Sequence, residues 1–388
     1  MKPIVRAGRM KPVHSDIRGP LFVEAMKRQK QGIDILKLNT GNPATFGFGL
    51  PDSIKNALIE HMQDGVGYCD FKGMPQARQA ICDYETSKGI KGITSDDVFI
   101  GNGVSEVVSF ALTPLLNDGD EVLVPSPSYS LWGNSVYLED GKPVFYTCDE
   151  QANWYPDIKD IRSKITDKTK AIVIINPNNP TGVLYPKELL LEIIQIARES
   201  GLLIFADEIY DRLVMDGKQH ISLASLTEDV PVITLNGLSK SHCLCGYRCG
   251  WMVISGPREL TEDYRQGIIQ LTSLRLCANT MAQIVIPAAL DDMETPASMV
   301  RPGGRIYEQR EATVRELEKI DGLSFVKNDA AFYVFPKLDV KKFNITNDKQ
   351  FAHDLLDVTN ILLVPGSGFD WKDPDHFRIV MLPQADIL

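Results

Sequence analysis

Four stretches of this 388-residue chain carry residue types that could do chemistry together. Gly101-Asn102-Gly103-Val104-Ser105 opens a predicted helix, whose free N–H groups and dipole suit an anion, with the Ser105 hydroxyl as a further donor. Asp207, in Asp207-Glu208-Ile209-Tyr210, follows a fully apolar run. Its carboxylate falls at a buried strand end, where a charge without a cationic partner is costly; the alternative is a helix N-cap. Lys240, in Ser239-Lys240, offers an amine able to act as nucleophile and general base, or is a solvated loop lysine. Arg248 has the planar fork suited to bidentate phosphate contact. Asn176-Pro177-Asn178-Asn179-Pro180-Thr181-Gly182 reads locally as a turn.

Each piece sits at the end of a predicted strand, the place where doubly wound sheets put their ligands. The runs Val98 to Ile100, Glu121 to Val124, Val144 to Cys148, Ala171 to Ile175, Leu202 to Ala206 and Val232 to Leu235 are continuously apolar or β-branched, as in strands covered on both faces. Between them Ser105 to Leu116 and Lys187 to Ser200 show helical spacing, the second with Pro186 at its start. The expectation is an α/β fold with a mainly parallel, helix-covered central sheet over residues 51–290. A smaller α+β domain is expected from residues 1–50 and 291–388. There Thr295 to Gly304 is Pro/Gly-punctuated, Ile306 to Ile320 is an amphipathic helix, and strand-like runs fall at Phe332 to Phe335, Ile361 to Val364 and Phe377 to Leu382.

Composition narrows the class. A 44% apolar, 24% charged chain is that of an ordinary globular protein. Its net charge of −10 gives no general attraction to nucleic acid or anionic membrane, so any phosphate must be held locally. Apolar runs of about five residues fall far short of the roughly 20 that span a bilayer. The basic first residues (Lys2, Arg6, Arg9, Lys11) lack a following apolar stretch and read as a mobile or docking arm rather than a signal. Seven cysteines scattered through a long chain suit a cytoplasm.

Taken in order, these motifs resemble those of the fold-type I, pyridoxal-phosphate-dependent aminotransferases of class I/II, along nearly the whole chain. Asp16-Ile17-Arg18-Gly19-Pro20, the run Asn236 to Lys240 and Arg275-Leu276-Cys277-Ala278-Asn279 look most like the bacterial glutamate-pyruvate (alanine-forming) members. The resemblance implies that Lys240 condenses with the cofactor aldehyde and then moves the substrate α-proton, and that Asp207 pairs with the protonated pyridine nitrogen. It implies that Tyr210 and Asn179 hydrogen-bond the cofactor's phenolic oxygen. Gly103, Val104, Ser105, Ser239 and Arg248 would take its phosphate, with Gly237 standing where aspartate-specific relatives have a serine. Tyr129 would stack on the ring, ordinary core packing being the alternative. Tyr68, heading Tyr68 to Gly73, would reach the neighbouring subunit's phosphate, which implies a homodimer with shared sites.

For substrate, the resemblance implies that Arg378 binds the α-carboxylate as a bidentate pair, completed by Asn179 and the backbone of Gly41. A second carboxylate, as on glutamate, needs another cation; Arg18 is the first candidate and Arg275 the second. The expected reaction is ping-pong amino transfer between an L-amino acid and a 2-oxo acid. A broad or aromatic aminotransferase, a C–S β-lyase and a non-catalytic cofactor-sensing module are the alternatives. Cys243, Cys245 and Cys249 beside His242 lack zinc-ribbon spacing and read as small packing residues, with no metal expected. Family members usually continue for a further helix beyond the Phe377 to Leu382 run, so whether Leu388 is the natural terminus stays open.

Overall fold

The computed structural model describes residues 2–388. Eight strands form the central sheet: β1 (Val98–Gly101), β2 (Glu121–Ser126), β3 (Lys142–Asp149), β4 (Tyr155–Pro156), β5 (Thr169–Ile175), β6 (Leu203–Asp207), β7 (Val232–Gly237) and β8 (Gly250–Ser255). Their spatial order is β1-β8-β7-β6-β5-β2-β3-β4. The β2, β3, β5, β6 and β7 pairings are parallel, while β8 runs antiparallel between β1 and β7, and β4 antiparallel to β3.

The continuous apolar runs have a direct physical reason. Along β5 and β6, Ile172, Ile174, Ile204 and Ala206 pack on one side with Leu190, Ile193, Ile194 and Ala197 of the helix Lys187–Ser200. Ala171, Val173, Ile175, Leu203 and Phe205 pack on the other side with Val107, Val108, Ala111 and Leu112 of the helix Val104–Leu112 and Ile268 of the helix Arg258–Arg275. Alternate residues face opposite ways along a strand, so a sheet covered on both faces needs apolar residues at every position. The helix Lys187–Ser200 begins after Pro186 and ends at Gly201, whose φ of 64° gives the left-handed cap that glycine adopts without strain.

The structure corrects several boundaries. The helix expected over Ser105 to Leu116 is Val104–Leu112 and stops before Pro114. Strand β8, whose Trp251 to Ile254 run is continuously apolar and buried, is not among the expected strands. The Pro/Gly-rich stretch Thr295 to Gly304 begins inside a helix, Glu294–Val300, whose proline falls in the first turn, where it is tolerated. Beyond it lie the helix Arg305–Leu317 and three short pairings: Tyr333–Val334 and Val364–Pro365 on either side of Phe377–Val380, Leu36–Lys37 beside Ile361–Leu362, and Leu323–Ser324 beside Lys337–Leu338. Among the described residues no single helix is long and apolar enough to cross a membrane.

The N-terminal segment is docked. The His14 N–H donates to Asn134 Oδ1 at 3.1 Å and the Asn134 amide returns a bond to the His14 carbonyl at 2.6 Å. The His14 imidazole lies between Asp16 and Asp370, at 3.5 and 3.1 Å, and these carboxylates raise its pKa to about 9.

Candidate active site

The ends of β1, β5, β6 and β7 converge, and the loops leaving them carry the residues singled out above. After β1, Gly103 turns into the helix Val104–Leu112 with φ of 87°; a side chain there would begin 2.3 Å from the Arg248 guanidinium. The positive φ favours glycine, whereas the guanidinium, at the end of a flexible side chain, can move aside. Arg248 is exposed, donates to the Cys245 carbonyl at 3.0 Å and projects beside the N-terminal N–H groups of Val104 and Ser105. Together they make a cradle of donors suited to a phosphate.

Asp207 ends β6, 4% exposed. Its carboxylate accepts from Trp132 Nε1 at 3.1 Å and from the Ile209 N–H at 3.3 Å, and has no cationic partner among the described residues. Burial pushes its pKa up to about 6 against those two donors. Behind it, the acids Glu85, Glu208 and Asp211 surround the Lys88 ammonium at 2.8, 2.7 and 3.2 Å. Glu208, Asp211 and His220 have ligand atoms within 4.8 Å of one another, a metal-like grouping, but the cation in it is this lysine.

Lys240 follows β7 on the short helix Leu238–Ser241. Its Nζ donates to the Gly41 carbonyl at 2.9 Å, with no carboxylate partner among the described residues. Burial works against its proton, but the Tyr333, Cys245 and Tyr129 side chains outweigh it and hold the pKa above the usual lysine value. Arg378, 1% exposed, donates from Nη1 to Asn179 Oδ1 at 2.9 Å and from Nη2 to the Asn39 carbonyl. Its guanidinium lies 4.5 Å from the centre of the Tyr333 ring and 4.6 Å from that of Phe369, and Nε is left without an acceptor. Such a buried, planar cation with spare donors fits a carboxylate. Tyr210 and Tyr333 share a hydroxyl contact of 2.8 Å, and a side chain on Gly41 would meet the Tyr333 hydroxyl at 2.3 Å.

Tyr129 sits partly buried in the loop after β2, close enough to act electrostatically on both Lys240 and Arg378. Ser239 is half-buried, its carbonyl taken by the Cys245 thiol at 3.0 Å. Tyr68 lies away from these residues, 82% exposed. Arg18 is exposed but tethered: the Asn39 amide donates to the Ile17 carbonyl at 2.8 Å, so the residue holding Arg378 also holds the chain beside Arg18. Arg275 donates to Glu106 Oε2 at 2.5 Å and to the carbonyls of Phe71 and Ile100, with its Nε left without an acceptor. Cys243, Cys245 and Cys249 turn to different surroundings: Met299 Sδ at 3.8 Å, the Ser239 carbonyl, and the apolar core beside Trp251.

Sequence reasoning missed Trp132, Tyr333 and Asn39. Trp132 stands three residues after Tyr129, but nothing in that spacing marks it as a donor to Asp207.

The strand-end geometry, an anion cradle and buried groups of both signs define a pyridoxal-phosphate enzyme of fold-type I. Asp207 supplies the counter-charge a protonated pyridine needs, Lys240 an amine, and Gly103 to Ser105 with Arg248 the phosphate donors, so the residues present fit the cofactor. Residues 33–387 match the family described as aminotransferase class I and II, and the chain belongs to that family. It is similar to the glutamate-pyruvate aminotransferase AlaA of Haemophilus influenzae, 50% identical over all of this chain and 96% of that protein. It is 45% identical to an alanine aminotransferase of Mycobacterium tuberculosis over 98% of this chain and 89% of that one. A crystal structure of an aminotransferase from Escherichia coli superposes with a TM-score of 0.98 at 48% identity, covering 99% of this chain and 95% of that one.

Arg378→Lys tests the carboxylate fork. A lysine cannot span Asn179 and the Asn39 carbonyl while presenting two donors to a ligand. With buried charge contacts at about 2–5 kcal/mol, kcat/KM for any amino or oxo acid is expected to fall roughly 10²-fold, read by steady-state kinetics.

Proposed function

We propose that this chain transfers amino groups between glutamate and pyruvate, forming alanine and 2-oxoglutarate, by a ping-pong mechanism. The observation that carries the reading is a set of three buried or half-buried charges, Asp207, Lys240 and Arg378, each without a counter-ion among the described residues. Buried charges are otherwise paired, and a cationic ring with an amino acid carboxylate supplies the missing partners. Bound there, pyridoxal phosphate supplies an electron sink for the carbanion left when the α-proton departs.

The chain's own residues do the rest. Asp207, held by Trp132 and the Ile209 N–H, would balance a protonated pyridine. Lys240 Nζ, next to the Gly41 carbonyl, would take and return the α-proton. Arg378, Asn179 and the Gly41 backbone would fix the α-carboxylate, and Tyr210 with Asn179 would donate to the cofactor's phenolic oxygen. Gly103, Val104, Ser105, Ser239 and Arg248 would hold its phosphate, and Tyr129 would stack on it. We assign this work to residues 51–290 and the substrate clamp to the N-terminal segment with residues 291–388. The seven free thiols favour a cytoplasmic location.

The exposed Tyr68 and Leu274, 82% and 83% accessible, lie on facing segments joined by the Arg275 contact to the Phe71 carbonyl and the Thr280 contact to the Gly65 carbonyl. With Val66 and Leu276 they make an apolar face that supports a homodimer, with Tyr68 reaching the second subunit's phosphate.

The test is the half-reaction: holoenzyme mixed separately with alanine and glutamate loses the aldehyde-form absorbance with both. Comparable rates with phenylalanine would instead mark a broad enzyme, and pyruvate with ammonia from cystathionine a lyase. Arg18→Ala is expected to slow the glutamate half-reaction about tenfold or more while leaving that of alanine nearly unchanged, because only glutamate carries a second carboxylate. Equal losses remove the assignment.

A further inference from the structure

Cys245 opens the single turn Cys245–Tyr247 immediately beyond the lysine loop, half-buried at the floor of the site. Its thiol donates to the Ser239 carbonyl at 3.0 Å and lies 3.9 Å from the Gly41 carbonyl, the group that accepts from Lys240 Nζ at 2.9 Å. Thiol and amine therefore share one acceptor, and Sγ stands 4.0 Å from Nζ. Cys82, Cys148, Cys243 and Cys249 are buried, and burial pushes the thiols of Cys148, Cys243 and Cys249 up to about 12, leaving them inert. Cys69 contacts the Gln283 amide, which also holds the Ala278 carbonyl beside Cys277, away from the lysine.

We propose that hydrogen peroxide joins Cys245 to Lys240 through a reversible sulfur–nitrogen bond, making the pair a modification site that withdraws the amine. In the first step the Cys245 thiolate attacks peroxide: an S–O bond forms, the O–O bond breaks and hydroxide leaves, sulfur being oxidised by two electrons and peroxide reduced; the hydroxide takes a proton from the adjacent Lys240 ammonium and departs as water, leaving the amine neutral. In the second the neutral Lys240 amine attacks that sulfur. The S–N bond forms, the S–O bond breaks, and the hydroxyl departs with an amine proton as water, with no net redox change. A dithiol reverses the product, regenerating amine and thiol as it becomes a disulfide. The second step needs the amine free of cofactor, a state reached when an amino donor has been consumed without an acceptor. Excess donor thus sensitises the enzyme to peroxide. The effect on turnover rests on the role proposed above for Lys240, whereas bond formation rests only on the geometry.

The experiment treats holoenzyme with peroxide after incubation with glutamate and no oxo acid. The expected product lacks two hydrogen atoms by intact mass and resists trypsin after Lys240, so that residues 219–248 stay in one peptide; dithiothreitol reverses both changes. Activity falls in step with the mass change. Omitting glutamate slows cross-linking roughly tenfold or more, Cys245→Ala and Cys245→Ser abolish it, and Cys243→Ser cross-links normally. Loss of two hydrogens with trypsin still cutting after Lys240 would mean a Cys243–Cys245 disulfide and overturns the proposal, as would oxygen addition that dithiothreitol does not reverse. A cross-linked but glutamate-inert protein instead sinks the transaminase reading and spares the site.

Discussion

Replacing Lys240 by alanine is expected to leave a folded protein whose transamination is slower by about 10⁴-fold or more, the upper end of what one acid–base group supplies, with a nucleophile lost as well. The structural cost is small: Lys240 gives up one hydrogen bond, to the Gly41 carbonyl, worth about 1 kcal/mol. Burial holds the Tyr210 phenol, 2.8 Å from the Tyr333 hydroxyl, well above its ordinary pKa, so it stays protonated and does not serve as a base in place of Lys240. Two measurements check this. Single-turnover mixing with alanine is expected to show cofactor bound but unconverted, and borohydride is expected to fix the cofactor to the Lys240 nitrogen of the wild-type protein and to leave the variant unlabelled. Near-normal turnover would remove Lys240 from the reaction.

Asp207→Asn is expected to lower turnover by roughly 10²–10⁴-fold, since breaking a buried charge pair costs about 3–5 kcal/mol and the amide cannot balance a cationic ring. The same change has the opposite effect on the cofactor-free protein. Burial raises the Asp207 pKa from the ordinary 3.8 to about 6, so above that pH the folded chain holds an ionised carboxylate it would rather keep protonated. A raised carboxylate pKa means a penalty that is absent below about pH 4, grows between the two values and is complete above about pH 6, where it amounts to about 3 kcal/mol. Asparagine removes it. Cofactor-free Asp207→Asn is therefore expected to melt higher than the wild type at pH 8, by an amount that shrinks toward pH 5. Calorimetry across that range reads the effect, and a pH-independent difference would mean the carboxylate is paired by something other than a cofactor.

Much of the site was legible because chemistry at strand ends leaves local marks. Gly103 marks the turn into a helix, Asp207 ends an apolar run that cannot tolerate an idle charge, and Lys240 leaves β7 beside a serine. Trp132, Tyr333 and Asn39 left no such mark. Each looks like an ordinary core or loop residue, and each acquires its role only by meeting a residue 75, 123 or 339 positions away. Arg275 shows the converse: a candidate carboxylate ligand in sequence, it pairs with Glu106 across 169 positions.

By itself the chain determined the α/β alternation and the two-sided burial of β5 and β6, since these follow from side-chain period. Tertiary structure alone decided the antiparallel insertion of β8, the pairing of Arg275 with Glu106 and the meeting of Cys245 with Lys240. Pairing direction and contact between distant segments depend on how layers pack, which no local pattern of residues encodes.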